Sequence, residues 1–256
     1  VLRHGFLNSY YQTGLRNLID KSIIDKTNLL KDEEPLLRGL ETNYKKIDEL
    51  PFDFRRKRMS VILEDKNGKV QMITKGAVEG MLSICDYVEY ENKVLPLTDS
   101  LKKIVLRHVN ELNDRGMRVI AVAQRTNEEL RNLEATVADE KEMVLMGYLS
   151  FLDPVKESAE QAVRSLEDLG IDVKVLTGDN QRVTKEVCRR LNINTKNVVL
   201  GPDLSKMTDD EVRATVKDTN IYAQLSPLDK ARLVEILRGM GHVVGFLGDG
   251  INDAPA

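Results

Sequence analysis

From residue 151 to the end of the chain, short apolar runs alternate with amphipathic stretches of helical period, and no other feature limits the fold so strongly. Helical spacing covers 157–169, 181–191, 209–217 and 228–240, and strand-like runs occupy 173–176, 198–200, 221–223 and 243–247. In the first helical stretch Ala159, Ala162, Val163, Leu166 and Leu169 keep one face apolar, and Gly170 supplies the stop. This alternation predicts a parallel sheet covered by helices, joined by right-handed crossovers. Chemistry in such sheets gathers at the carboxyl ends of the strands. The polar loops fall where that rule requires: 173–176 runs into Thr177-Gly178-Asp179, and 243–247 runs into Gly248-Asp249-Gly250.

The first 150 residues have a different rhythm. Helical patterns at 10–24 and 97–115 flank alternating strand-like stretches at 59–64, 70–74, 88–90, 118–124 and 144–150, and Asn67-Gly68 between two of these is a hairpin signal. An α+β module with a largely antiparallel sheet is expected over 1–150, and an α/β module with a parallel sheet over 151–256, divided where Asp153-Pro154 interrupts the chain. The 256 residues suffice for two cores. A net charge of -3 gives no electrostatic reason to expect nucleic acid or an anionic membrane as partner. The longest apolar runs are too short to span a bilayer. Cys85 and Cys188 lie far apart and are expected to be free thiols in a reducing compartment. The chain opens on Val1 and stops at Ala256 inside a Gly/Asp/Pro-rich loop, so it reads as an excised piece of something longer.

Three segments carry chemistry. In Gly248-Asp249-Gly250-Ile251-Asn252-Asp253 two carboxylates four apart in a glycine-flanked loop suit a hard cation with oxygen ligands, Mg2+ above all. Such a loop is also a common turn. Thr177-Gly178-Asp179 offers a hydroxyl and free N–H groups at a strand-to-helix junction, where phosphate oxygens bind; the plainer alternative is that Asp179 or Asn180 only caps the helix that follows. Lys230, in the first turns of the helix after Ser226-Pro227, points to the same edge and can neutralise a phosphate; most helix lysines are merely solvated.

Together these segments resemble the phosphotransferase core of the haloacid dehalogenase superfamily. With the front half added, the chain resembles a P-type ATPase, in which a nucleotide-binding domain splits that core. The ordered signatures are Lys75-Gly76-Ala77, Asp153-Pro154-Val155-Lys156, Thr177-Gly178-Asp179 and the Gly248-to-Pro255 run. The resemblance implies a nucleotide-binding domain over 1–150 and a phosphorylation domain over 151–256, the latter without its phosphorylated aspartate. It implies ATP and Mg2+ as cofactors. Phe52 would stack on adenine and Lys57 meet phosphate, both within Phe52-Asp53-Phe54-Arg55-Arg56-Lys57-Arg58-Met59-Ser60. Read without the family, the basic run there is a solvated stretch at a strand entry. Lys75 and Gly76 would lie at the adenine pocket, and Arg118 would reach the phosphates. Asp153 and Lys156 would stand at the hinge near the nucleotide. Thr177, Gly178, Asp179 and Lys230 would serve phosphoryl transfer, Asp249 would bind Mg2+, and Asn252 and Asp253 would shape the same loop. Two departures stand out: Gln12 replaces the glutamate that many members carry near adenine, and the 153–156 motif lacks the commoner second proline and arginine.

The family's nucleophile is an aspartate in a DKTGT-type motif. Only Asp25-Lys26-Thr27-Asn28 approaches it, without the glycine and in a helical stretch of the wrong module. The resemblance therefore implies an ion-translocating ATP hydrolase on the cytoplasmic face of a membrane, of which this piece binds nucleotide but forms no phosphoenzyme. The transported cation would be held by membrane helices outside this piece. Pro51-Phe52-Asp53-Phe54, the 11–14 segment and the 241–253 run are most similar to bacterial magnesium-transporting members. The alternatives are a dehalogenase-type phosphatase with a cap domain and a non-catalytic nucleotide-binding module.

Overall fold

The structure is a computed structural model and describes residues 1–14, 17–131, 134–153, 155–248 and 253–256. The chain forms two compact units, one of 1–109 with 119–151, the other of 110–118 with 152–256.

The first unit begins with helices α1 (Leu2–Tyr11) and α2 (Leu18–Leu30). The sequence pattern predicts one helix over 10–24, and the structure breaks it. The reason is local: Asn17 caps α2, its side chain accepting the Asp20 N–H at 2.9 Å while Asp20 accepts the Asn17 N–H at 3.2 Å. A reciprocal cap of this kind starts a new helix rather than continuing an old one. Strands β1 (Tyr44–Asp53), β2 (Arg58–Asp65) and β3 (Val70–Ala77) follow, then the short helix α3 (Val78–Leu82), β4 (Cys85–Tyr90), β5 (Lys93–Pro96), helix α4 (Asp99–Asp114), β6 (Met117–Thr126) and β7 (Met143–Leu152). Their order in the sheet is β1-β2-β3-β6-β7-β4-β5, antiparallel from β1 to β3 and from β3 to β6, with a parallel β4–β7 pair. A largely antiparallel sheet is thus borne out.

Residue parity sorts the sheet's two faces. Val61, Leu63, Ile73 and Val122 pack with Phe6, Leu7 and Ile23 of α1 and α2. Ile62, Met72, Ala121 and Ala123 pack with Val78, Met81 and Val109 of α3 and α4. Because both faces are covered, β3 is buried along almost its whole length. The sequence reading missed β1 and β5. Strand β1 is an edge strand with two register shifts, one at Lys46–Asp48 and one at Leu50–Asp53. Each shift breaks the period-two alternation by which a strand is recognised.

In the second unit, α5 (Glu157–Asp168), β8 (Val175–Leu176), α6 (Gln181–Arg190), β9 (Val198–Leu200), α7 (Gly201–Leu204), α8 (Asp209–Val216), β10 (Ile221–Ala223) and α9 (Pro227–Gly239) alternate as expected. The strands pair in parallel in the order β8-β10-β9. Leu204, Val212, Val216, Tyr222, Leu233 and Ile236 form the core. The predicted strand at 243–247 is a correction: 242–248 carries no strand, and Val243 and Leu247 are fully exposed. Apolar composition alone does not make a strand; a neighbouring ladder does, and this run has none among the described residues. Among those residues no helix is long and apolar enough to cross a membrane. Cys85 and Cys188 are free and buried, and burial pushes their thiols up to about 12 and about 11.

Candidate functional site

In the first unit, the candidate nucleotide residues sit at the end of β1 and in the turn to β2. Pro51 has no N–H for a ladder, and the register slips between Leu50 and Asp53, so this end of the edge strand leaves the pleat. Phe52 and Phe54 are both half exposed, with ring centroids 5.2 Å apart and edge to face. The turn is closed by Asp53. Its carbonyl accepts the Lys57 N–H at 2.7 Å, and its Oδ1 accepts the N–H groups of Arg56 and Arg55 at 2.8 and 2.9 Å. Those backbone bonds, that from Arg56 first, hold the Asp53 carboxyl below its usual range.

Lys57 adopts a left-handed φ of 50° and is exposed. Its carbonyl accepts the Ala77 N–H at 3.0 Å, which binds this turn to the Lys75-Gly76-Ala77 motif. Gly76 is required there: a Cβ would meet the Lys57 carbonyl oxygen and Arg58 Cβ, each at 2.5 Å.

Lys75 lies on the face of β3 that α1 and α2 cover. It is 7% exposed; its ammonium donates to Ser9 Oγ at 2.7 Å and to Asp20 Oδ1 in an ion pair. Burial lowers its pKa, and Asp20 offsets part of that shift. Gln12 ends α1 nearby in sequence, buried, with an amide Nε2 that finds no partner among the described residues. The next residue, Thr13, donates its N–H to Glu49 of β1 at 3.0 Å, three residues ahead of Phe52.

In the second unit Thr177 follows β8. Its N–H donates to the Tyr222 carbonyl and its own carbonyl accepts from Leu225, both at 3.0 Å, so it lies against the segment that enters α9. Its Oγ1 accepts the Asp179 N–H at 3.1 Å. Gly178 is exposed. The cap of α6 is Asn180, whose side chain accepts the Arg182 N–H at 2.8 Å, so Asp179 has no capping duty. Instead Asp179 Oδ2 lies 2.8 Å from the guanidinium of Arg118, with Asp153 at 3.7 Å from the same group. Lys156 is exposed and precedes α5 as its cap residue, its side chain making no capping bond to the helix.

Helix α9 starts with a reciprocal box. Ser226 Oγ accepts the Asp229 N–H at 3.2 Å, Asp229 accepts the Ser226 N–H at 2.8 Å, and Pro227 fills the first turn. That start puts Lys230 one turn in, where its Nζ lies 2.5 Å from Asp253 Oδ1. Two predicted residues 23 apart in sequence are therefore brought together. Asp249 and Asn252 lie outside the described residues, as does Pro154 of the 153–156 motif. Among the described residues no three acidic, His or Cys side chains form a metal cluster. Asp25-Lys26-Thr27 is helical, and Thr27 is buried with its hydroxyl on the Ile23 carbonyl at 2.8 Å.

Sequence reasoning missed the supports of this site. Asp20 was legible in principle, through the Asn17-to-Asp20 capping spacing. Glu140, which is buried beneath the 53–58 turn, carried no signal at all.

The family model described as "P-type ATPase, cytoplasmic domain N" matches residues 7–158. Over 256 residues the chain is 42% identical to a "Magnesium-transporting ATPase, P-type 1" of Escherichia coli and 40% identical to one of Salmonella typhimurium, in each case covering 100% of this chain and 28% of the relative. It is 32% identical over 224 residues to a "Calcium-transporting ATPase" of Bacillus subtilis, covering 85% of this chain and 24% of that protein. The chain thus spans little more than a quarter of the curated relatives it matches. It belongs to the P-type ATPase family, and most of its first unit is that family's cytoplasmic domain N.

Proposed function

We propose that this chain is the nucleotide-binding and phosphoryl-handling portion of a cation-transporting P-type ATPase, on the cytoplasmic side of a membrane, with magnesium as the ion moved. The observation that carries the nucleotide reading is the seam at Lys57 and Ala77, which holds an outward-facing pair of aromatic rings beside an exposed lysine. An aromatic face takes the base and cations take the phosphates. The residues fit ATP in a second respect: the buried Gln12 amide has a donor with no partner among the described residues, which an acceptor on a purine ring would satisfy.

The second unit reads as a dehalogenase-like phosphorylation domain. Lys230 would neutralise the transferring phosphoryl group and Thr177 would donate a hydrogen bond to it, each acting where charge develops. Asp249 would hold Mg2+, which supplies further neutralisation there. Asp253 keeps the Lys230 ammonium in place. The attacking carboxylate would come from a strand outside this chain, and the apolar run at 243–247, which has no ladder partner among the described residues, suits such a neighbour. Asp179 would serve the same transfer site, Arg118 would reach phosphate oxygens, Asp153 and Lys156 would stand at the hinge, and Gly76 and Gly178 would keep backbone close to ligand.

Calorimetric titration with ATP tests this reading. Phe52→Ala is expected to weaken binding by about 1–3 kcal/mol, the range for base–aromatic stacking. Lys75→Ala weakens it too, while Asp249→Ala leaves it almost unchanged. A parent chain that does not bind ATP, or three variants that bind like the parent, would sink the assignment.

A further inference from the structure

Residues 55–58 are four consecutive cations, and the structure divides them. Arg55 and Lys57 are exposed. Arg56 and Arg58 turn inward to one carboxylate, Glu140, which is 3% exposed and lies just after the short 3-10 turn Val137–Asp139. Arg56 Nη1 donates to both Glu140 oxygens at 2.7 and 2.8 Å, and Arg58 Nε donates to Oε2 at 2.7 Å. Ser60 Oγ also lies 2.7 Å from Oε1 and from Thr74 Oγ1, linking the cluster to β2 and β3. A basic run read as solvated is therefore half scaffold. Glu140 is more than 80 residues from the arginines it holds.

A carboxylate with every nearby lone pair engaged is a stiff anchor, because each bond fixes the next. The same turn is tied on its other side by Asp53 and by the Lys57–Ala77 backbone bond. Without Glu140, the two partly buried guanidinium groups would face each other with only the Asp53 carboxylate, 3.9 Å from Arg56, as counter-charge. They would then swing out and carry the turn with them.

We propose that Glu140 is a positioning residue for nucleotide binding: it sequesters Arg56 and Arg58, orients the turn that presents Phe52, and leaves Arg55 and Lys57 as the cations facing the phosphates. This rests on the nucleotide-binding reading above.

The test compares ATP and adenosine affinities, with amide NMR shifts of residues 53–58 followed in the unliganded chain. Glu140→Gln replaces one acceptor oxygen with a donor that opposes the guanidinium groups. It should weaken ATP and adenosine alike by roughly 5- to 10-fold, the worth of about one ordinary hydrogen bond, and shift the 53–58 amides. Arg55→Ala and Lys57→Ala should weaken ATP but leave adenosine unchanged. Combined with Phe52→Ala, Glu140→Gln should cost adenosine no more than Phe52→Ala alone, because it acts through that ring. A purely structural role would lower the melting temperature and spare both affinities. Should Glu140→Gln not fold, Arg56→Gln and Arg58→Gln carry the same expectations. If the parent binds ATP and these variants bind both ligands as well as it does, the proposal is overturned while the nucleotide reading stands. If the parent binds neither ligand, the nucleotide reading fails, and unchanged 53–58 amides in Glu140→Gln would overturn the positioning role separately.

Discussion

Replacing Asp20 with alanine removes two supports with one change. Asp20 is 1% exposed; one carboxylate oxygen holds the Lys75 ammonium and the other accepts the N–H that closes the cap of α2. Removing one half of a buried ion pair costs about 3–5 kcal/mol, because the remaining charge is left unpaired in a poorly solvated site. Loss of the cap adds roughly 1 kcal/mol. Small domains have a margin of about 5–15 kcal/mol, so Asp20→Ala should bring the first unit close to its limit. The sign of the pH dependence follows from Lys75. Burial already makes its folded-state pKa lower than the ordinary 10.5, and without Asp20 it falls further. Below the folded-state pKa the penalty is fully present. Between that value and 10.5 the unfolded chain binds the extra proton, so the variant's stability rises with pH across that window. Urea denaturation followed by circular dichroism, with hydrogen exchange of β2 and β3 amides to isolate the first unit, measures the loss. Asp20→Ala combined with Lys75→Met removes both charges and should recover most of it. A single variant within about 1 kcal/mol of the parent, or a double variant no better than the single, would refute a buried, mutually compensated pair.

Two further outcomes are expected. Gly76→Ala puts a methyl group 2.5 Å from the Lys57 carbonyl oxygen, which cannot retreat without opening the β2–β3 ladder. It should destabilise the first unit by about 1–3 kcal/mol or more, read as a lower urea midpoint. Incubation of this chain with γ-labelled ATP should leave no acid-stable label, since the proposed nucleophile is not among its residues; durable labelling would contradict that mechanism.

How much was legible depended on whether a signal was local. The 198–200 and 221–223 strands and the α6 and α9 helices were readable because their period, caps and stops lie within a few residues. Edge strand β1 was not, because its two register shifts destroy the alternation. The run at 243–247 was misread for the opposite reason: its composition is strand-like, but pairing depends on a neighbour that composition cannot report. The break between α1 and α2 lies where Gly14 and the Asn17–Asp20 capping pair stand, both local signals.

By itself the sequence determined the α+β and α/β rhythms and the family, since each depends on residues close together along the chain. Tertiary structure alone decided what those residues do with their charge. It tied Lys75 to Asp20, divided the basic run between Glu140 and solvent, and set Lys230 against Asp253. Whether a charge is free, spent or shared is a property of its surroundings, and those surroundings come from residues tens of positions away.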